Sequence, residues 1–157
     1  MSELNQEKTH NKQLDSVLDK FHTLGFTQLT EIQKKAVPLI IQKKDSLIIA
    51  PTGSGKTECS VIPVFSFVSA TKNIGKIKAL YITPLRALNR DVFKRIIKYA
   101  EAEDLTIEIR HGDTSQSARK RITDTPPDVL ITTPETLVIL LTQEKMLNAL
   151  SELEWVI

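Results

Sequence analysis

The sequence has little cysteine, glycine or aromatic content: one cysteine, five glycines and 5% aromatic residues in 157. A single thiol, Cys59, excludes an internal disulfide framework and fits a reducing, cytoplasmic setting. No window comes near the roughly 20 apolar residues that a helix needs to cross a bilayer. The opening MSELNQEKTHNKQLD is polar where a secretory signal would be apolar. Neither a membrane partner nor export is expected. Charge of one sign is lacking too. The net charge of +2 is too small to announce a nucleic-acid partner, so such a partner has to be argued from local groups of Lys and Arg. His111 has no second His or Cys near it in sequence, which argues against a metal-ligand role.

What is present is a globular composition, 41% hydrophobic and 25% charged, over a length suited to one domain. Residues 1–12 read as a loose polar leader and 13–157 as the domain. Leu14, Val17, Leu18, Phe21 and Leu24 recur at helical spacing, and Gly25 offers a stop. Thr30 can cap a second helix carrying Ile32, Ala36, Val37, Leu39 and Ile40, with Pro38 expected to kink or shorten it. SLIIA, residues 46–50, has the short apolar run of a buried parallel strand. KALYIT (78–83), LTIEIR (105–110) and DVLIT (128–132) read as further strands. Residues 84–103, 114–122 and 134–150 read as helices, two of them opened by Pro84 and Pro134. Strand and helix in alternation predict a doubly wound α/β fold, a mostly parallel sheet with helices on both faces. The final SELEWVI reads as one more buried strand with no turn or polar tail after it, so the domain is expected to be incomplete.

APTGSGKTE, residues 50–58, departs from the strict phosphate-loop pattern, because Ala50 stands where a glycine belongs. Gly53, Gly55, Lys56 and Thr57 nonetheless have the right chemistry. Glycines let backbone N–H groups turn toward phosphates, and a following helix adds the positive end of its dipole. Lys56 would neutralise the β- and γ-phosphates, and the Thr57 hydroxyl would ligate Mg²⁺. The bland alternative is a Gly-Ser turn followed by an exposed lysine. Small-molecule kinases, GTPases and helicases share such a loop, so the loop alone does not name a reaction.

PTGSGKT, with GFTQLTEIQKKAVP before it and TPLRALNRD and TTPETL after it, resembles the first, RecA-like motor domain of superfamily-2 helicases, which include the DEAD-box proteins. YITPLRALNRD and RHGDTS are most similar to its large helicase-related (Lhr) branch. The resemblance runs from about Phe21 to Ile157, and Ala50 suits it, since this group uses Ala or Thr at that position. It implies ATP and Mg²⁺ as cofactors, with Pro51, Thr52, Gly53, Ser54, Gly55, Lys56 and Thr57 around the phosphates. It also implies adenine contacts from Gln33, whose amide both donates and accepts, and from Phe26, whose ring can stack. Read without it, Gln33 is a solvated helix residue and Phe26 a core aromatic. Nucleic acid, DNA or RNA, is implied for Arg86, Asn89 and Arg90, and for Thr133 and Pro134 at a helix start. It is implied also for Gly112 and Asp113, where glycine suggests a turn and Asp113 a cap for the next helix.

The resemblance further places an Asp-Glu pair after the strand that LEWVI would form, and then a second motor domain with transition-state arginines. None of these is among the 157 residues, so hydrolysis by this chain alone is not expected. The leading expectation is the ATP-binding N-terminal part of an ATP-dependent helicase or translocase. The alternatives are a stand-alone nucleotide or nucleic-acid binding module from a split or degenerate gene, and a small phosphate-loop kinase.

Overall fold

Apolar strands alternating with amphipathic helices build a parallel sheet over the later part of the chain. The computed structural model describes residues 3–84 and 90–157. The chain divides into two compact units, Met1–Ser66 and Phe67–Ile157.

The first unit holds α1 (Glu3–Thr23), α2 (Glu31–Ile41) and the beginning of α3 (Lys56–Thr71). Helix α1 starts at Glu3, so most of the segment expected to be a loose leader is helical. ELNQEK is rich in good helix formers, and this local preference outweighs its lack of apolar residues. The helix stops as expected: Gly25 takes φ +93° while Phe26 N–H donates to the Phe21 carbonyl at 3.0 Å. Val17 and Phe21 of α1, and Ala36, Val37, Ile40 and Ile41 of α2, are buried. Helix α2 runs through Pro38 to Ile41 rather than ending at the proline.

Residues 46–50 do not form the expected strand. They are irregular, and Leu47 and Ile49 are 87% and 81% exposed. A strand exists only through the neighbour it pairs with, and among the described residues this run has none; apolarity alone does not supply one.

The second unit carries β1 (Ala79–Ile82), α4 (Arg90–Ala102), β2 (Ile107–Arg110), α5 (Gln116–Asp124), β3 (Val129–Thr132), α6 (Pro134–Leu140), α7 (Glu144–Ala149) and β4 (Trp155–Val156). The four strands lie in the order β2-β3-β1-β4, all parallel. Leu80 pairs with Leu130 and Ile109 with Ile131, so equivalent residues share a level across the sheet. Every residue of β3 is buried, as befits a central strand covered on both faces. On one face Leu80 and Leu130 pack with Ile77, Ile122, Leu140, Met146 and Ala149. At the N-terminal end of β1, the nearly buried Lys78 ammonium lies 2.9 Å from Glu152 and 3.3 Å from Glu154. The pairing holds the Glu152 carboxyl below its ordinary range. The ladder between β1 and β4 continues to Ile157, whose carbonyl accepts from Ile82 N–H at 2.7 Å.

The single helix expected over 134–150 is two, broken over residues 141–143. No helix among the described residues is long and apolar enough to cross a membrane.

Candidate nucleotide site and nucleic-acid interface

The segment 50–57 forms a turn shaped by its backbone. Gly53 and Gly55 take φ +79° and +89°, values that L side chains rarely adopt, and α3 begins directly at Lys56. Two residues at the start of α2 hold this turn. The Thr30 hydroxyl donates to the Ser54 carbonyl at 2.8 Å. Gln33 is 1% exposed; its Oε1 accepts from Thr30 N–H at 2.9 Å and its Nε2 donates to the Gly55 carbonyl at 3.3 Å. A Cβ on Gly55 would fall 2.3 Å from that Nε2, so a side chain there would push the Gln33 amide aside in addition to straining a positive φ. The Lys56 ammonium turns back onto its own loop and donates to the carbonyls of Ala50 and Pro51, the latter at 2.8 Å. The Ser54 hydroxyl is a buried polar atom with no hydrogen-bond partner. Cys59 is core: burial, with the charge of Glu58, pushes its thiol up to about 11, and it donates to the Lys56 carbonyl.

The second group lies at the C-terminal ends of the parallel strands, which all face the same way. After β2 the chain turns tightly: His111 N–H donates to the Thr114 hydroxyl at 2.9 Å and Thr114 N–H to the His111 carbonyl at 3.1 Å. Gly112 and Asp113 sit exposed at its tip. Ser115, not Asp113, caps α5, because its side chain reaches Ala118 N–H while Asp113 N–H is held by His111 Nδ1. After β3, Thr133 caps α6 by accepting from Thr136 N–H, and Pro134 takes the first helical position, as the sequence predicts. Arg86 and Asn89 lie outside the described residues; Arg90 is the first residue of α4.

Comparison with known proteins decides between the uses of such a loop. The sequence pattern of the DEAD/DEAH box helicases matches residues 30–157. The chain belongs to that helicase family. It is 36% identical over 140 residues to "ATP-dependent helicase Lhr-Core" of Sulfolobus acidocaldarius, covering 82% of this chain and 16% of that protein. It is 32% identical over 158 residues to "Probable ATP-dependent RNA helicase DDX52" of Bos taurus, covering 99% of this chain and 26% of that one. Among solved structures, the Mycobacterium smegmatis helicase Lhr bound to ssDNA and AMP-PNP superposes with a TM-score of 0.69 at 32% identity, over 85% of this chain and 19% of that one. The DUF1998 helicase MrfA bound to DNA and AMPPNP gives 0.72 at 26% identity, over 89% of this chain and 20% of that one. The chain thus spans less than a third of the length of these relatives.

For a helicase-family chain the structure brings together Thr30, Gln33 and 50–57 in one unit. It brings Gly112, Asp113, Thr133 and Pro134 to one end of the sheet in the other. Gln33 is a buried brace of the phosphate loop, not the solvated helix residue that composition alone favours. Phe26 packs edge-on against Phe21, ring centroids 5.6 Å apart. Sequence reasoning missed the link from Thr30 to Ser54, and it missed Arg110 and Arg119 beneath the 111–114 turn. The Thr-x-x-Gln spacing of a capping box, which Thr30 and Gln33 complete, was the available signal for the brace. No sequence pattern marks the two arginines.

Proposed function

We propose that this chain is the ATP-binding part of a nucleic-acid helicase motor. In this reading Gly53, Ser54, Gly55, Lys56 and Thr57, with Pro51 and Thr52 leading in, hold the phosphates of ATP. The observation that carries it is the braced turn opening α3, with two glycines at positive φ and the lysine ammonium inside the turn. The residues present fit the ligand: the unpartnered Ser54 hydroxyl gains an anionic acceptor, and a side chain on Gly55 would displace the Gln33 amide that braces the turn. Lys56 exchanges two neutral carbonyls for anionic phosphate oxygens, which adds charge–charge attraction to hydrogen bonds that its ammonium already makes. Thr57, second in α3, is the ligand for Mg²⁺, which would screen phosphate charge. Phe26 serves the adenine side, and Gln33 joins it by exchanging its brace bonds to Thr30 and Gly55 for bonds to the base.

Gly112, Asp113, Thr133 and Pro134 meet the sugar-phosphate backbone of the track, with Arg86, Asn89 and Arg90 after β1 completing the set. One relative is described with ssDNA and another is named an RNA helicase, so the partner proposed is nucleic acid of either sugar. A second motor domain is the other partner of the working machine, where ATP closes two such domains on the strand.

The test is equilibrium titration of the chain with a fluorescent ATP analogue and Mg²⁺. Lys56→Ala should weaken binding by about 10- to 100-fold, the loss of charged hydrogen bonds worth about 1.5–3 kcal/mol. Equal affinity of both proteins overturns the reading.

A further inference from the structure

The turn at 111–114 rests on Arg119, which Arg110 supports in turn, and among the described residues no carboxylate pairs with either guanidinium. Arg119, on the first turns of α5, donates from Nε to the Thr114 carbonyl at 2.7 Å and from NH2 to the Gly112 carbonyl. One planar fork thus holds both ends of the turn's tip. The Arg119 carbonyl in turn accepts from the Thr123 hydroxyl at 2.9 Å, and that hydroxyl accepts from Arg110 NH1 at 3.2 Å. Arg110 is 6% exposed, and its NH2 donates to Gln143 Oε1 at 3.0 Å. Its carbonyl accepts from the Thr132 hydroxyl at 2.8 Å, tying β2 to the residue before the α6 cap. A relay therefore runs from the α6–α7 break through Arg110, Thr123 and Arg119 to the turn. Among the described residues, every hydrogen-bond acceptor of the two guanidinium ions in it is neutral. Asp113, within the turn, points to solvent with its side chain 83% exposed.

This arrangement is costly for mere packing. A buried arginine is ordinarily paired with a carboxylate, and burial beside Arg119 here lowers the proton affinity of Arg110. What it achieves is geometric and electrostatic together. Because a peptide's C=O and the next N–H point in opposite directions, drawing the Gly112 and Thr114 carbonyls onto Arg119 turns acceptor oxygens away from the outer surface of the turn. The negative ends of two peptide groups are withdrawn and two positive charges stand behind them, while the exposed Asp113 carboxylate stays at the rim, 4.0 Å from His111 Nδ1.

We infer that Arg119 is a positioning residue for nucleic-acid binding, holding the 111–114 turn, with Arg110 as its buried support, in the one shape that admits a phosphodiester backbone. The inference rests on the proposed reading of Gly112 and Asp113 and adds the residue that shapes them. Arg119 acts through the two carbonyls and does not itself count among the phosphate contacts. A lysine keeps the charge but cannot span both oxygens.

The test compares the full chain with Arg119→Lys, binding fluorescein-labelled single-stranded DNA and RNA oligonucleotides across a salt series. Arg119→Lys should weaken binding about ten-fold, as expected for a lost charged hydrogen bond. The slope of log affinity against log salt should stay unchanged, and so should the affinity for the ATP analogue. Amide exchange at His111 and Thr114 should accelerate while β3 amides stay protected. Wild-type affinity in Arg119→Lys overturns the inference and leaves the reading of Gly112 and Asp113 intact. A salt slope shallower by about 0.7 in Arg119→Ala means a direct phosphate contact, and it overturns the inference too. Absence of oligonucleotide binding by the wild-type chain overturns that reading and this inference together.

Discussion

The phosphate loop and the 111–114 turn are both short, polar and functional in prospect, yet they are held in opposite ways. The loop follows an irregular run, 46–50, with Leu47 and Ile49 exposed, and keeps its shape through glycines at positive φ and side chains of α2. The 111–114 turn follows a paired strand, sits on a sheet whose central strand is wholly buried, and is clamped by a helix beyond it. One is shaped by side chains reaching back some twenty residues, the other by a ladder with a local fork. A site can therefore be well formed without a strand beneath it, provided that its backbone oxygens are individually claimed.

Five substitutions, one of them a control, sharpen or break that contrast. The largest effect is expected in the sheet: Leu130→Ala removes a wholly buried side chain at the centre of the core and should cost about 2–5 kcal/mol of unfolding free energy in a denaturant titration. Next is Gly55→Ala, which must strain φ +89° and displace Gln33; about 1–2 kcal/mol of strain should appear with weaker binding of the ATP analogue. Gly112→Ala is its control, since a Cβ there meets nothing within 4 Å; equal losses from both would show that the loop's brace is unimportant. Thr133→Ala removes the α6 cap and should cost about 1 kcal/mol, a fall of about 2–4 °C in melting midpoint for a chain of this size. The smallest is Leu47→Ser: a side chain 87% exposed should leave stability within about 0.5 kcal/mol. A loss like that of Leu130→Ala would mean that 46–50 is a core strand in solution, and the contrast would collapse.

The same contrast explains what was legible. Strands β1, β2 and β3 fall within the segments that their apolar pattern marks, and β4 falls in the final WVI, because alternation and β-branching record burial directly. Residues 46–50 carry an equally strong pattern, but a run of Leu and Ile states only that burial is favourable, not which partner supplies it. The break at Gln143 has no glycine or proline to announce it; its side chain accepts from Arg110, 33 residues earlier. For the site, the lysine, threonine and glycines of the loop were readable because their chemistry is local. The fork of Arg119 was not, since basic residues on a helix are most often a solvated face and nothing in ARKR says which of them turns inward.

The common direction of the strands has a consequence for how such a protein can change. The segments that follow β2 and β3 open at the same end of the sheet, although they are separated in sequence by a whole helix. Each is anchored at its root by its own strand, so insertions or replacements in one leave the footing of the other as it was. On the proposed reading of Gly112, Asp113, Thr133 and Pro134, preference for one nucleic acid over another can therefore be rewritten one segment at a time, while the register that sets their spacing is inherited unchanged.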